Sequence, residues 1–318
     1  MTITLDVLVV SYNTSKLLRP MFNAMDQAAA AVKIQLRYLV LDNESSDDSV
    51  CELSKFPLAK LIVNDVNVGF GRANNQLLPL VEADYVLLLN TDAFVSPDTL
   101  NLTLSFMANN PDCGILGVKL VGRDGELQPS CRYFPTPWNL FLARTGLARI
   151  FKKSVMVDDM IWAHDDVREC DWVPGCYYLV RRTVLDQIGL FDPRFFMYYE
   201  EVDHCRRAKA AGWKIFFYPH TSVVHLGGES AKTTGEISEG GKQLSALQIE
   251  SEHLYMRKHY GLIGLLNHCI LYYIGVFLAF LKAVLQRKNS GFLERLSANA
   301  KMFFKILMVT GFGKHSAK

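Results

Sequence analysis

The sequence predicts an α/β fold with a mostly parallel central sheet, helices on both of its faces, and a helical C-terminal segment. Apolar runs rich in Val, Leu and Ile alternate with amphipathic segments through the first half of the chain, which is the pattern of successive β-α-β units. Each run ends in polar residues, as strands do at the ligand-binding edge of a parallel sheet. The last part of the chain instead carries a long apolar run and a basic tail.

Four short apolar runs are expected to form buried parallel strands, because they are bounded by polar residues and rich in Val, Leu and Ile. The segments between and after them have the amphipathic character of helices, and Ser96-Pro97-Asp98 is typical of a helix start. The predicted strands are 6–13, 37–43, 59–65 and 83–90, and the predicted helices lie around 15–30, 47–56, 72–81 and 97–110.

The second half of the chain is less regular. After an apolar run at 113–122, the stretch 123–170 is rich in Pro and aromatic residues, and its weak periodicity predicts a variable loop region. A second ordered block follows at 173–230. It is expected to contain a strand, a helix that begins near Tyr199, a second strand at 214–218 and a loop that carries His225.

The composition excludes several classes of protein. Half of the 318 residues are hydrophobic and 21% are charged, which excludes intrinsic disorder and collagen-like sequence. The net charge of +2 gives no argument for a nucleic-acid partner. The seven cysteines contain no C-x-x-C pair, so we expect reduced thiols in a cytosolic setting. The N-terminus lacks a basic region and a cleavage site, and is expected to form the first strand rather than a signal peptide.

Polar residues end all four predicted strands. Asn and Asp are common in turns, which would explain one such ending, but four in succession predict a binding crevice for a polar ligand. No phosphate-binding loop, G-x-x-x-x-G-K-[ST] or G-x-G-x-x-G, follows the first strand, which argues against nucleoside triphosphatases and dinucleotide oxidoreductases. The polar ends are Ser11, Tyr12 and Asn13; Asp42 and Asn43; Asn64 and Asp65 with Asn67; and Asn90 and Asp92.

The run LLLNTDA at 87–93 carries an acid directly after an apolar strand. A carboxylate there can hold Mg²⁺ or Mn²⁺, which would neutralise a diphosphate. At this point the sequence resembles the family-2 glycosyltransferases of the GT-A fold, whose Asp-x-Asp signature corresponds to Asn90-Thr91-Asp92. The resemblance implies that Asp92 is a metal ligand, and that Asn90 makes a weaker contact, to the ribose or through water.

Three further segments resemble donor-binding motifs of the same family. Residues 9–13 are similar to the strand and turn around the nucleobase and ribose, 42–49 to its Asp-Asn-x-Ser-x-Asp segment, and 67–75 to its Asn-x-Gly-Phe-x-x-x-x-Asn segment. The donor-binding residues implied by these matches are Ser11, Tyr12, Asn13, Asp42, Asn43, Asn67 and Asn75.

An acidic cluster opens the helix predicted near Tyr199. Acids in a first helical turn often only complement the helix dipole, but inverting sugar transfer also needs a base for the acceptor hydroxyl and a metal for the departing diphosphate. Residues 195–213 resemble the family segment that holds the catalytic carboxylate. The match implies Glu201 as the base, with Asp203 as the alternative and Glu200 on the acceptor side.

His225 and Trp172 are the remaining site candidates. Residues 223–230 are similar to the family's His-bearing loop, which implies His225 as a second metal ligand; a purely structural His is the alternative. Trp172 can line the acceptor site, because aromatic faces stack on sugar rings, although a core position would equally suit a Trp.

The donor and the reaction type follow from two features. The string Gln-x-x-Arg-Trp of processive synthases is absent, which favours the addition of a single sugar. Residues 123–137 look like the corresponding stretch of bacterial rhamnosyltransferases, which implies dTDP-L-rhamnose as the donor. The alternatives are a UDP- or GDP-sugar donor and, in a different class, a non-catalytic membrane scaffold that binds nucleotide sugars. A sugar nucleotidyltransferase would need a Gly-rich basic loop after the first strand, which VVSYNTSK does not supply.

The C-terminal region predicts membrane association. Residues 261–281 contain no Lys, Arg, Asp or Glu, and the tail from Lys282 onward has a net charge of +7. Such a helix is about 30 Å long, the thickness of a bilayer core, but a single crossing would place the basic tail outside, against the positive-inside rule. We therefore expect a peripheral protein at the cytoplasmic face of the inner membrane, on an anionic membrane surface, with a lipid-linked oligosaccharide as acceptor. The alternative is a buried helix pair or a homo-oligomer contact.

These features predict a GT-A catalytic domain at 1–240 and a helical, basic, membrane-associating region at 241–318. Within the first, about 1–110 is the expected nucleotide-binding half and 111–240 the acceptor and catalytic half.

Overall fold

A computed structural model describes residues 3–32, 34–227, 246–288 and 290–317. These residues form two compact units, which are described separately. The first comprises the described parts of 1–132, 158–193 and 200–237, and the second those of 133–157, 194–199 and 238–318. The predicted domain boundary at residue 240 lies outside the described residues.

A ten-stranded sheet forms the framework of the first unit. Its strands are β1 (Ile3–Ser11), β2 (Ile34–Asp42), β3 (Lys60–Val63), β4 (Tyr85–Leu89), β5 (Ala93–Val95), β6 (Cys113–Val121), β7 (Leu127–Gln128), β8 (Arg168–Glu169), β9 (Tyr177–Arg181) and β10 (Lys214–His225). Their order is β3-β2-β1-β4-β9-β6-β10-β5, with β7 paired to β6 and β8 to β10.

The four N-terminal strands are parallel to one another, as the sequence predicts. The sheet as a whole is mixed, because β9 runs antiparallel between β4 and β6 and β5 runs antiparallel to β10. The expectation of a mostly parallel sheet therefore holds for its first half. These antiparallel strands have a direct effect on the site, since β9 brings residues before Tyr177 next to the end of β4.

Nine α-helices lie in the described residues. They are α1 (Ser15–Ala30), α2 (Ser49–Leu53), α3 (Phe70–Leu77), α4 (Thr99–Asn109), α5 (Pro137–Thr145), α6 (Arg182–Ile188), α7 (Glu200–Ala210), α8 (Ala246–Leu285) and α9 (Ser290–Val309). Helices α5, α8 and α9 belong to the second unit and the others to the first.

The core of the first unit packs α1 and α4 against the sheet. Leu18, Met21, Phe22 and Met25 lie on one side of α1 at helical spacing and are at most 1% exposed, and they join the central strands in one apolar cluster. Burying a side chain of this size stabilises a fold by about 1.5–3 kcal/mol. The same positions give α1 the amphipathic pattern that predicted it.

One charge lies inside this unit. The Asp6 carboxylate is fully buried, and it accepts hydrogen bonds from Arg37 Nε at 2.7 Å and Nη2 at 2.9 Å and from the backbone N–H groups of Glu82 and Ala83. Burial alone would raise the pKa of Asp6, but Arg37 and these N–H groups lower it below its ordinary value. The pair fixes β1 against β2, where Asp6 and Arg37 are registered partners.

Two sequence predictions for the second half are wrong in detail. The stretch expected to be a loop contains α5, which starts at a capping box between Thr136 and Asn139 with Pro137 in the first turn. His225 is the last residue of β10 rather than part of a loop, because the strand continues seven residues past the predicted end at Tyr218.

In the second unit, α8 is interrupted at Gly261, whose positive φ of 69° breaks the helix into two parts. It is the one helix in the described residues that is long and apolar enough to cross a membrane by length and composition, and 22% of its most apolar stretch is buried. Helix α9 packs against it through Phe303, whose ring stacks on Tyr272 with centroids 3.7 Å apart. Large apolar side chains such as Ile263 and Leu285 remain 83% and 84% exposed.

Candidate active site

The predicted donor-binding residues of β1 and β2 lie side by side at one edge of the sheet. Ser11 and Asp42 are partners in the β1–β2 register, and the next residue, Asn43, donates its backbone N–H to the Ser11 carbonyl at 2.8 Å. Asp42 is fully buried and its two carboxylate oxygens accept from the backbone N–H and the hydroxyl of Ser45. Tyr12 follows Ser11 and is partly exposed.

Amides connect this edge to the loop after β3. Asn43 donates from Nδ2 to Asn67 Oδ1 at 2.8 Å, and its Oδ1 accepts from Asn64 Nδ2 and the Val68 N–H. Asn67 Oδ1 also accepts the Gly69 N–H at 2.9 Å. Asn43 and Asn67 therefore shape the crevice together, and much of their hydrogen-bonding capacity is already used.

Asn13 joins the turn after β1 to the loop after β2. Its φ of 52° is left-handed, a conformation in which Asn is strongly enriched among non-glycine residues. Its Oδ1 accepts from the Ser46 N–H at 2.7 Å, and its own N–H donates to Ser45 Oγ at 2.8 Å. The residue holds two loops of the predicted nucleotide site in one arrangement.

Asn75, predicted to bind the donor, forms hydrogen bonds to the backbone of another loop. Its Nδ2 donates to the Phe191 carbonyl at 2.7 Å and its Oδ1 accepts the Phe191 N–H at 3.0 Å. Both ends of the amide are thus bonded to one backbone residue. This pair of hydrogen bonds holds the loop before α7. A direct contact of Asn75 with a donor stays a prediction.

The two predicted metal ligands meet at the pairing of β5 with β10. His225 is registered opposite Ala93, and the Leu226 N–H donates to the Asp92 carbonyl at 3.1 Å. This pairing brings His225 Nε2 to 3.6 Å from Asp92 Oδ1, with the two side chains 19% and 9% exposed. The short strand β5 is therefore what brings together two residues that are distant in the sequence.

Gln128 fixes the orientation of His225. Its Nε2 donates to the His225 carbonyl at 2.9 Å, so its Oε1 faces His225 Nδ1, also at 2.9 Å. Because Oε1 can only accept, Nδ1 carries a proton, and in the neutral form of the ring the lone pair of Nε2 faces Asp92. A carboxylate oxygen and an imidazole lone pair that face each other are a suitable pair of donors for a divalent cation.

The donor set is small. Within the described residues, no group of three or more His, Cys, Asp and Glu side chains could hold a metal ion. Among the described residues, Asp92 and His225 would supply two ligands, which leaves positions of the metal open to a ligand or to water. Such an open site is typical of metals that bind together with a substrate.

Glu201 lies near the same edge of the sheet, at the start of α7. The backbone N–H groups of Glu201 itself, Val202 and Gly175 lie close enough to its carboxylate to lower its pKa. Gly175 precedes Cys176, whose carbonyl accepts the Asn90 N–H at 3.1 Å. The antiparallel strand β9 thus brings the loop that carries Gly175 next to the residues that lead to Asp92.

Glu200 and Glu201 form a buried pair of like charges. One oxygen of each, Oε2, is buried without a hydrogen-bond partner among the described residues. Burial and the neighbouring Glu201 raise the pKa of Glu200 well above its ordinary value. Burial also raises the pKa of Glu201, but the three N–H groups and the charge of Arg132 oppose this. The negative charge of the pair is therefore better stabilised on Glu201 than on Glu200.

Asp203 is bound in a different way. It is fully buried, and its Oδ2 accepts from Arg207 Nε at 2.8 Å, while the same guanidinium donates to the carbonyls of Ile188 and Leu190. Asp203 and Arg207 stand four residues apart on α7, the spacing at which side chains meet on a helix. Among the described residues, Asp203 is thus held in an ion pair, whereas Glu201 has no ion-pair partner.

Trp172 is 5% exposed, and the Arg132 guanidinium lies over its ring at 4.1 Å from the centroid. Arg132 in turn forms an ion pair with Asp158 at 2.6 Å. The Trp172 ring is therefore buried, with one face covered by a cation. A stacking contact of Trp172 with an acceptor sugar stays a prediction.

The sequence did not predict the contacts that Gln128, Arg132 and Gly175 make here. Gln128 lies in a two-residue strand, too short to show a periodicity, and Gly175 acts through its backbone. Arg132 stands in the stretch predicted to be irregular. For Arg132, its position in the rhamnosyltransferase-like segment is the signal that could have identified it.

The similarity to known proteins agrees with this geometry. The family model described as "Glycosyltransferase like family 2" matches residues 4–239. The N-acetylglucosaminyl-diphospho-decaprenol L-rhamnosyltransferase of Mycobacterium tuberculosis is 28% identical over 254 residues, which cover 74% of this chain and 79% of that protein. Rhamnosyltransferase WbbL of Escherichia coli is 26% identical over 170 residues, 49% of this chain and 60% of that protein.

Among solved structures, the mannosyltransferase PcManGT from Pyrobaculum calidifontis, in complex with GDP-Man and Mn²⁺, has a TM-score of 0.55 at 13% identity. The match covers 99% of this chain and 89% of that one. At this identity the likeness concerns the fold alone, and it agrees with the mixed sheet and flanking helices described above. The chain belongs to glycosyltransferase family 2, and it is a glycosyltransferase enzyme with the GT-A fold.

Proposed function

We propose that this enzyme is an inverting, metal-dependent rhamnosyltransferase. It transfers one L-rhamnose from dTDP-L-rhamnose to a hydroxyl of a lipid-linked glycan precursor. The main support for the proposal is the arrangement at the sheet edge, where Glu201 lies close in the fold to the facing pair Asp92 and His225. Its Oε2 is buried without a hydrogen-bond partner among the described residues.

Glu201 is the proposed base. Its carboxylate takes the proton of the acceptor hydroxyl while the acceptor oxygen forms its bond to the anomeric carbon of the donor. The bond from that carbon to the diphosphate oxygen breaks in the same step, so the configuration inverts. The pKa of Glu200 is raised well above its ordinary value by burial and by the neighbouring Glu201, which favours the negative charge of the pair on Glu201.

Asp92 and His225 are the proposed metal ligands, with Gln128 holding His225 in the tautomer that a metal requires. A Mg²⁺ or Mn²⁺ ion bound there would stabilise the negative charge of the departing diphosphate. The crevice residues Ser11, Tyr12, Asn13, Asp42, Asn43, Asn67 and Asn90 are proposed to bind the nucleotide.

The names of the relatives support the donor and acceptor. One is named for L-rhamnose transfer to a diphospho-decaprenol carrier and another is named a rhamnosyltransferase. A carrier of that chemical class lies in a membrane, so the enzyme must work at a membrane surface.

The exposed apolar side of α8 supports a peripheral position on the membrane. After Gly261 it presents Ile263, Ile270, Phe277 and Val284, each more than half exposed. The tail that follows has a net charge of +7, which favours an anionic lipid surface. We propose that this side lies in the interface at the cytoplasmic face, where nucleotide sugars are available.

Calorimetric titration with dTDP, UDP and GDP, each with and without Mn²⁺, tests the donor. Metal-dependent binding of dTDP alone is the expected result. A preference for UDP or GDP would leave the mechanism and refute the donor, and no binding of any nucleotide would refute the proposed function. Flotation with anionic and zwitterionic vesicles tests the membrane surface, with binding expected only to the anionic ones.

A further inference from the structure

The chain enters α7 from a short segment with an uncommon backbone. Residues 194–199 belong to the second unit, whereas Glu200 begins the part of the first unit that carries the proposed base. Tyr198 and Tyr199 have φ values of 70° and 68°. Two consecutive non-glycine residues in the left-handed region persist only when surrounding contacts hold them, and such strain is concentrated at functional sites.

The first part of α8 provides these contacts. The Tyr199 hydroxyl donates to Glu252 Oε2 at 3.2 Å, and Ser251 Oγ donates to the Met197 carbonyl at 2.8 Å. The Tyr199 ring also packs against Tyr255, with centroids 5.2 Å apart. Three residues of α8 thus bind the segment that directly precedes α7.

Glu252 is itself held rigidly. Its side chain is 2% exposed, Arg144 Nη2 donates to both of its oxygens at 2.6 and 2.8 Å, and His268 Nε2 lies 2.7 Å from Oε1. Burial would raise the pKa of Glu252, but Arg144 and His268 outweigh it and lower the pKa. Burial and the Glu252 charge raise the pKa of Tyr199 well above its ordinary value, so the Tyr199 hydroxyl keeps its proton and remains the donor.

We propose that Tyr199 and Glu252 are positioning residues for Glu201: the buried Glu252 carboxylate anchors the Tyr199 hydroxyl and thereby sets where α7 begins. This inference rests on the proposed role of Glu201 as the base. Glu201 is only two residues from Tyr199 along the chain, so a change in the backbone of Tyr199 moves the proposed base directly. Displacing a reacting group by about 1 Å can cost on the order of a hundredfold in rate.

The decisive comparison is Tyr199→Phe against Tyr260→Phe. Each change removes one hydroxyl from the second unit, and the Tyr260 hydroxyl donates to the Pro135 carbonyl at 2.8 Å, away from the segment before α7. We expect Tyr199→Phe to lower kcat by about tenfold or more while KM for the donor stays within about twofold. Tyr260→Phe is expected to leave kcat unchanged. A purely structural role of Tyr199 would give the two variants the same kcat.

A second variant tests the anchor. Glu252→Gln keeps the shape of the side chain and removes its charge, and we expect the same selective loss of kcat. The double variant Tyr199→Phe/Glu252→Gln should lose no more than the larger single loss, because residues in one network are not additive. Glu252→Gln also leaves Arg144 without its counter-ion. If the Glu252→Gln variant does not fold for this reason, Tyr199→Phe alone tests the positioning role.

The outcomes separate this inference from the proposed function. Equal kcat values for the two Phe variants, or a rise in KM without a loss of kcat in Tyr199→Phe, would overturn the positioning role while the unaltered enzyme still transfers sugar. If the unaltered enzyme transfers no sugar, the proposed function fails and the positioning role fails with it.

Discussion

Glu201→Gln separates the charge of the proposed base from the space that it occupies. The amide fits the same volume, and its oxygen can still accept from the N–H groups near the carboxylate, but it cannot take a proton from an acceptor hydroxyl. General base catalysis contributes about 10²–10⁴ in rate, or about 2.7–5.4 kcal/mol of barrier. We expect kcat to fall by that factor, measured as sugar transfer, and donor affinity to change by no more than a few-fold.

The same substitution should stabilise the fold at high pH. Glu200 and Glu201 have pKa values raised above the ordinary value of 4.5, so the folded chain binds more protons than the unfolded chain above that pH, and stability falls as pH rises. Glu201→Gln removes one of the two charges. We expect a gain on the order of 1 kcal/mol at pH 8, or about 2–4 °C in Tm. The difference should disappear at pH 4, below the unfolded value.

Asp203→Asn is the matched control, because it removes the same charge two residues along α7. Asp203 is paired with Arg207, so its loss should destabilise the fold by about 3–5 kcal/mol, the opposite sign from Glu201→Gln. A fall in Tm for Glu201→Gln at pH 8 would refute the account of the carboxylate pair. Equal losses of donor affinity and of transfer in that variant would refute its role as the base.

Three further predictions concern the metal site and the core. Gln128→Leu removes the acceptor that orients His225 and should weaken Mn²⁺ binding, titrated with nucleotide present, by about 10–100-fold; unchanged affinity would exclude His225 as a ligand held by Gln128. Asp92→Ala should weaken metal-dependent nucleotide binding while metal-free binding stays the same, and an unchanged metal titration would remove Asp92 from the site. Arg37→Met should lower the free energy of unfolding by about 3–5 kcal/mol at pH 7. Because the pKa of Asp6 is lowered in the fold, its contribution is present above pH 3.8 and lost as the pH falls through the folded value, so the difference measured in urea should shrink in acid.

Local patterns predict most of the N-terminal half of the fold. The runs that become β1, β2, β3 and β4 are apolar and bounded by polar residues. Each pattern therefore predicts both a strand and the position at which the strand ends. The mixed nature of the sheet could not be predicted in this way. Strand β9 is apolar like its parallel neighbours because it too is buried on both faces. The hydrophobic pattern of such a strand does not indicate whether it runs parallel or antiparallel to its neighbours.

The residues of the candidate site likewise fall into two groups, those found in local motifs and those placed by long-range strand pairing. Asp92 and Glu201 stand in recognisable motifs, so the family resemblance identifies them. Their neighbours are set by long-range pairing: Gly175 meets Glu201 because of β9, and Gln128 meets His225 because of the short strand β7. Asn75 shows the opposite case, since its motif is clear but its amide is occupied by the backbone of Phe191.

The contact between Arg132 and Asp158 has a consequence for variation within the family. These residues form an antiparallel bridge as well as an ion pair, so the chain leaves the first unit at Arg132 and returns to it beside the same point. Residues 133–157 therefore form an inserted segment whose two ends lie next to each other. A segment of any length could occupy that place without changing the register of the sheet. A chimaera that exchanges 133–157 for the corresponding stretch of a relative should therefore keep the nucleotide crevice.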